Sequence, residues 1–321
     1  MAGELSQAIG DLGRSVSGYW RQRDGYQTFL YGVAALMLAS GLFHTVVFLV
    51  TGAQWYGPVS WRKPLLFGYS FGVTTLALAW IMTFLPKRRV LGWVLAGSLG
   101  VSGVIEVSLI TLQRWRNVPS HFNTATPLDG GIFTLMGIMV SVIATVIVMV
   151  TIWSLIELRA PAPLALGIRA GLILLVLGQA LGGAIIAVGV SQAAGPSTGS
   201  TAFGPNGVIL GAAGIMKDPH GIALHGIQVL GFLACLTLFT PWSERRRSRT
   251  VAVAVTGYSL VLLVILWQTF TGRGPLDLSP LARAGLLAGL AMLLGVAVVV
   301  VLGVAKPGRP AGLRPAGRTA G

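Results

Sequence analysis

The sequence predicts an all-α integral membrane protein: about eight transmembrane helices in one bundle, with both termini cytoplasmic. Three observations carry this expectation. Hydrophobic residues make up 54% of the 321 residues and charged residues only 10%, against roughly 25% charged in a soluble domain. Apolar runs recur along the chain, each near the ~20 residues with which a helix crosses a bilayer while satisfying its own backbone. Lysine and arginine cluster in alternate connections, as the positive-inside rule requires of an even number of spans. The net charge of +14 therefore lies in short loops and tails. It forms no basic globular face, which argues against a nucleic-acid partner.

Residues 1–27 carry Glu4, Asp11, Arg14, Arg21, Arg23 and Asp24 ahead of the first apolar run. A signal peptide places its apolar core much nearer the start, so the first span is expected to stay in the mature chain. Leu5, Ile9, Leu12 and Val16 recur at helical spacing, and the segment reads as an amphipathic helix on the cytoplasmic surface. Span one, residues 28–50, holds His44 about two thirds of the way along. Trp61-Arg62-Lys63-Pro64 then forms a rigid, aromatic and cationic approach to span two, residues 64–85. Lys87, Arg88 and Arg89 lead to span three, residues 90–112. Glu106 lies inside that span and shares a helical face with Ser102, Leu109 and Gln113. A charged group at the bilayer centre costs about 2.5–3.5 kcal/mol, so this face is expected to point into the bundle.

The densest polar run follows: Gln113-Arg114-Trp115-Arg116, then Ser120-His121-Phe122-Asn123, Thr124, Thr126 and Asp129. Spans four and five, residues 130–156 and 166–190, are joined across Arg159 and Arg169. Gln179 is flanked by Gly178, Gly182 and Gly183, small residues that let helices approach closely. The connection over residues 191–219 is long, rich in glycine and nearly uncharged, and loops of that length are usually functional or disordered. Its apolar stretch 208–215 reads as a lid on the membrane surface. Asp218 suits an N-cap and Pro219 the first position of span six, residues 220–239. That span opens with His220 and carries His225 and Gln228 on one face. Arg245, Arg246, Arg247 and Arg249 precede span seven, residues 251–270. Span eight, residues 281–304, runs into a basic tail over residues 305–321 that reads as disordered and cytoplasmic. Cys235 is the only cysteine, which excludes an internal disulfide or a thiolate cluster. Trp153, Trp242 and Trp267 read as interface anchors.

Threaded by charge, these spans bring His44, His121, His220 and His225 to the outer third of the membrane, with Glu106 at similar depth. Two chemistries suit that set. In the first, the histidines hold haem or a transition metal, since imidazole with carboxylate suits Zn, Cu or Fe. Glu106 is then the catalytic proton carrier, or a fifth ligand, of a redox or metal-dependent protein acting on a lipid-soluble or extracytoplasmic substrate. His220 and His225 are not at i, i+4 spacing, and the chain has no HExxH or CxxC pattern, so the ligands would come from several elements. In the second, the protein is a proton-coupled small-molecule transporter, with Arg62, Gln113, Arg114, Asn123, Asp129 and Gln228 at the substrate or gate. An accessory subunit of a membrane complex is the third reading, and the sequence does not decide whether the chain is an enzyme. Arg62, Lys63, Arg114, Arg116, Lys217 and Arg273 lie on the outer side, against the charge bias. Such cations either snorkel along apolar surface or meet an acidic group or an anionic ligand. Ser120, His121 and Asp129 are the residue types of a hydrolase triad, with nothing in the sequence to orient them. The expected partners are the lipid bilayer and a small lipid-soluble or anionic ligand.

The stretch from Glu106 through Ser120-His121-Phe122-Asn123 to Thr126 and Asp129, with His220-Gly221-Ile222-Ala223-Leu224-His225 and Gln228, resembles a family of bacterial multi-pass membrane proteins that has no assigned function. Trp61-Arg62-Lys63-Pro64 with Phe67 fits the same pattern. The resemblance covers roughly spans one to six. It implies the bacterial cytoplasmic membrane as location and a shared site at these residues, and it supplies no reaction. The loop before His220 departs from that family's more polar and aromatic pattern. In architecture alone, eight spans with outer-face histidines also resemble haem A synthase, whose paired-histidine pattern is not matched here.

Overall fold

The computed structural model describes residues 23–193 and 207–305. The amphipathic segment expected before residue 23, the middle of the long loop and the basic tail after residue 305 lie outside the described residues. Among the described residues, eight helices are long and apolar enough to cross a membrane. The described chain is an all-α bundle, and its eight long apolar helices have the character of a multi-pass membrane protein. The helices are α1 (Gly25–Thr51), α2 (Arg62–Ile81), α3 (Arg89–Trp115), α4 (Pro127–Glu157), α5 (Ala162–Ala193), α6 (Lys217–Thr237), α7 (Glu244–Phe270) and α8 (Pro280–Val304). A short 3₁₀ turn, Met82–Phe84, extends α2. Between α5 and α6, Ile209–Leu210 (β1) pairs antiparallel with Gly214–Ile215 (β2).

Local chemistry explains the helix ends. Thr126 accepts a hydrogen bond from the Asp129 N–H at 3.1 Å and Pro127 occupies the first turn of α4, the usual N-terminal pattern. Ser243 and Ser279 cap α7 and α8 in the same way. The start of α6 differs from the sequence expectation. Asp218 is not its N-cap; the helix begins at Lys217, with Asp218 and Pro219 inside the first turn. Proline is tolerated there because first-turn amides have no partner within the helix.

The bundle has two chemically distinct ends. At the basic end the Gln27 amide donates to Ala79 O (3.0 Å) and Thr83 Oγ1 (2.9 Å), tying the start of α1 to the end of α2. Arg88 pairs with Glu157 at 2.6 Å there. Trp153, read from sequence as an interface anchor, is instead 7% exposed. Its indole donates to Glu157 at 2.7 Å and the Arg88 guanidinium lies over its ring, so neighbours on α3 and α4 hold it inward. The opposite, histidine end carries His44, Trp61, the loop from α3 to α4, and the start of α6.

Packing is closest where glycines face a neighbour. Gly167, Gly171, Gly178 and Gly182 run along α5 against α6. A methyl group on Gly171 would lie 2.5 Å from Ile227 Cα, and one on Gly178 would lie 2.8 Å from the Leu224 side chain. The same device joins α1 to α2, where a methyl on Gly68 would meet Gly41 Cα at 2.8 Å. With no hydrophobic drive between helices in lipid, such backbone approach is what packing rests on. Leu30, Leu78, Leu95, Ile147 and Leu164 fill the main core toward the basic end. The outermost helix, α8, lies on α7 and α6 and leaves Leu287, Leu294 and Val301 exposed to lipid.

Candidate functional site

At the histidine end, His44 on α1 stands inside an aromatic stack. Its ring lies parallel to Trp61 at 5.9 Å, and the Arg114 guanidinium covers the same indole at 4.0 Å. His44 Nδ1 is 2.7 Å from Ser40 O, a bond in which only the ring can donate, so Nε2 is the acceptor. The Trp115 indole supplies that donor at 3.3 Å. Both ring nitrogens are thus engaged, and His44 joins α1, α2 and α3.

The polar run after α3 builds its own loop. Asp129 accepts from Arg116 (2.7 Å), Gln113 (3.0 Å) and Thr126 (2.8 Å). Arg116 also donates to Gln113. Asn123 bridges the turn, donating to Pro119 O at 3.1 Å and accepting from the Ala125 N–H at 3.2 Å. Gln113 and Asp129 therefore satisfy each other, and Asn123 is satisfied by the backbone of its own turn. Their network holds up the segment that carries Ser120, His121 and Phe122.

That segment forms one wall of a cavity of about 350 Å³. Lys63 donates to Ser120 Oγ at 3.3 Å, and Ser120 Oγ lies 2.9 Å from His121 Nδ1. A lysine cannot accept, so Ser120 Oγ accepts from Lys63 and keeps a second lone pair and its own hydrogen for the contact with His121 Nδ1. Burial, and then the Lys63 charge, push the His121 imidazole down to about 3. The ring tilts against Phe67 at 5.6 Å. Phe122 closes the wall in the left-handed region at φ 56°, a conformation that strains a bulky residue. Its ring fills the space beside Gly189 of α5 and lies 5.2 Å from Phe133, so packing holds it there.

Three cations line the same cavity: Arg62 and Lys63 from the first turn of α2, and Lys217 from the first turn of α6. No carboxylate lines it, and among the described residues none of the three forms an ion pair. Residues 194–206 contain no Asp or Glu either. The acids at this end are otherwise committed: Asp129 pairs with Arg116 and Asp277 with Arg273. Asp218, beside Lys217, is the nearest counter-charge. Trp55, Leu66, Phe67 and Phe122 make the remaining wall apolar.

The other expected site residues face the bundle interior. His220 Nδ1 meets Gly178 O at 2.8 Å, and its ring lies over Gly182, so it rivets α6 to α5. His225 Nε2 lies 3.5 Å from Ser70 Oγ, and Gln228 bonds Thr74 at 3.1 Å, both reaching α2 from one face of α6. Glu106 is 3% exposed and its Oε2 has no hydrogen-bond partner. Among the described residues, no three of His, Cys, Asp and Glu gather where they could share a metal ion. The histidines share an end of the bundle, each with its own partners.

Lys63, Lys217 and Ser120 were not among the site residues expected from sequence. For the two lysines the available signal was their place against the charge bias; for Ser120 it was the polar run that it shares with His121. What joins them is the third dimension, since Lys63 and Lys217 are 154 residues apart in the chain. Comparison with known protein families, curated proteins and solved structures finds no match.

Proposed function

We propose that this protein binds an anionic, lipid-soluble ligand in the cavity at the histidine end of the bundle. This reading takes that end to face the extracytoplasmic side of a bacterial cytoplasmic membrane, which the positive-inside distribution supports. One observation carries the reading: Arg62, Lys63 and Lys217 line one cavity and no carboxylate lines it. Like charges held together in a poorly solvated wall repel one another, and an anionic guest offsets that cost. The aromatic and aliphatic remainder of the wall suits an amphiphile better than a free ion. A haem or metal centre draws no comparable support from the donor geometry.

The test is native mass spectrometry of the protein taken from its membrane in non-ionic detergent. An acidic amphiphile should accompany the wild type and fall about tenfold or more in Lys63→Gln/Lys217→Gln, the loss of charge-assisted hydrogen bonds. Equal occupancy in a folded double variant, or none in either protein, overturns the reading.

Proton-coupled transport of such a ligand is a second reading, favoured by Glu106. Its unpartnered carboxyl stands about 13 Å along α3 from the histidine end, where a carrier needs an ionisable group. In proteoliposomes, Glu106→Gln is expected to bind a labelled alkyl sulfonate within about twofold of wild type and to lose its response to a pH gradient. Unaltered gradient-driven uptake removes Glu106 from the mechanism.

A further inference from the structure

We infer that the anionic group taken by this cavity is a phosphate carried on an apolar chain, an inference that rests on the cavity being an anion site. The first argument is charge. A carboxylate brings a single charge and two acceptor oxygens, whereas a phosphate monoester brings about −1.5 to −2 and three strong acceptors. Two ammonium groups and one guanidinium on one wall, Lys63, Lys217 and Arg62, exceed what a carboxylate satisfies. A phosphate offsets more of their charge than a carboxylate does, and the planar guanidinium matches it in shape.

The second argument is the placement of the backbone. Both α2 and α6 begin at this cavity, so the positive ends of two helix dipoles meet it; at α2 the first amides are already bonded, Arg62 N–H to Ser60 Oγ, Lys63 N–H to Ser60 O and Leu65 N–H to Trp61 O. The positive end of a helix dipole favours an anion, phosphate among them. Here two such ends reinforce side chains that already converge.

The apolar chain follows from the way out. Leu66 lines the cavity one turn into α2 and is 45% exposed. The cavity therefore reaches the lipid-facing flank of the bundle. α2 packs on α1, α3 and α6, while Ile185 of α5 lines the far wall. Phe67 and Phe122 face the space between. About 350 Å³ is at the small end for a ligand site. It accommodates the head group and the first part of a chain whose remainder lies in the bilayer.

The experiment is isothermal titration of the full chain in non-ionic detergent with decyl phosphate, decanoate and inorganic phosphate. Decyl phosphate is expected to bind about tenfold or more tightly than either of the others, from charge-assisted hydrogen bonds that a carboxylate cannot make and an apolar contact that the free ion lacks. Lys63→Gln and Lys217→Gln should each weaken decyl phosphate about tenfold with unchanged unfolding temperature, and Lys63→Arg should restore most of the loss. If decanoate binds as tightly as decyl phosphate and both weaken in Lys63→Gln, the phosphate inference fails and the anion site stands. If inorganic phosphate binds as tightly as decyl phosphate, the phosphate chemistry stands, its source is the free ion and the apolar chain is overturned. If nothing binds, or binding ignores both substitutions in folded protein, the anion site fails with it.

Discussion

At His121 a lysine, a serine and an imidazole share one line of hydrogen bonds, and the ring stays neutral within it. Its pKa, about 3 in the folded protein, lies below the roughly 6.5 of an unfolded histidine. Between those values the unfolded chain binds a proton that the folded chain refuses. Stability therefore falls as pH drops below about 6.5, by at most about 1.4 kcal/mol per pH unit for one proton. Above that range the group contributes no pH dependence. Unfolding temperatures in detergent from pH 7 to pH 4 should show this slope, and His121→Gln should flatten it; parallel curves would remove His121 as the cause. Hydropathy reports the depth of a residue and not its partner. The position of His44 toward one end of its helix was legible in the sequence for that reason, and its place between Trp61 and Trp115 was not. The Asp129 network was likewise visible only as a polar run, because its bonds close through a loop with Asn117 and Phe122 in the left-handed region.

Among the elements, the α5–α6 pair has the most to lose from added volume. A side chain at Gly171 collides with the Ile227 backbone, which cannot rotate away. Gly171→Val is expected to cost about 1–3 kcal/mol, as overpacking does, read as a lower unfolding temperature. Gly183 on the same helix has open space around it, and Gly183→Ala should stay within about 0.5 kcal/mol of wild type. Equal effects at the two positions would contradict the packing. All eight helices were legible from apolar run length, because in lipid the backbone must satisfy itself. Their ends were less so. α6 begins at Lys217, before its expected cap, which brings Lys217 into the first turn and onto the cavity. The reading of 208–215 as a lid is resolved into a small hairpin, tied to α5 by Gln192 donating to Ile209 O at 2.7 Å.

Across the whole molecule, charge is sorted by end. The connections after α2, α4 and α6 gather Lys87, Arg88, Arg159 and the run from Arg245 to Arg249, with Asp24, Glu157 and Glu244 among them. The opposite end has few acids, and two of them, Asp129 and Asp277, are paired. Of the cations at this end outside these pairs, Arg114 covers Trp61, while Arg62, Lys63 and Lys217 meet at one cavity. The excess of cations on this side could be counted from sequence; their convergence depends on how α2, α6 and the loop after α3 come together. The most direct test is to label the protein in lipid vesicles with a diazirine-bearing alkyl anion and map the modified residues. The cavity account predicts labelling concentrated on wall residues such as Phe67 and Phe122, and lost in Lys63→Gln/Lys217→Gln. Labelling spread along the lipid-facing surface of α8, and indifferent to those substitutions, would contradict it.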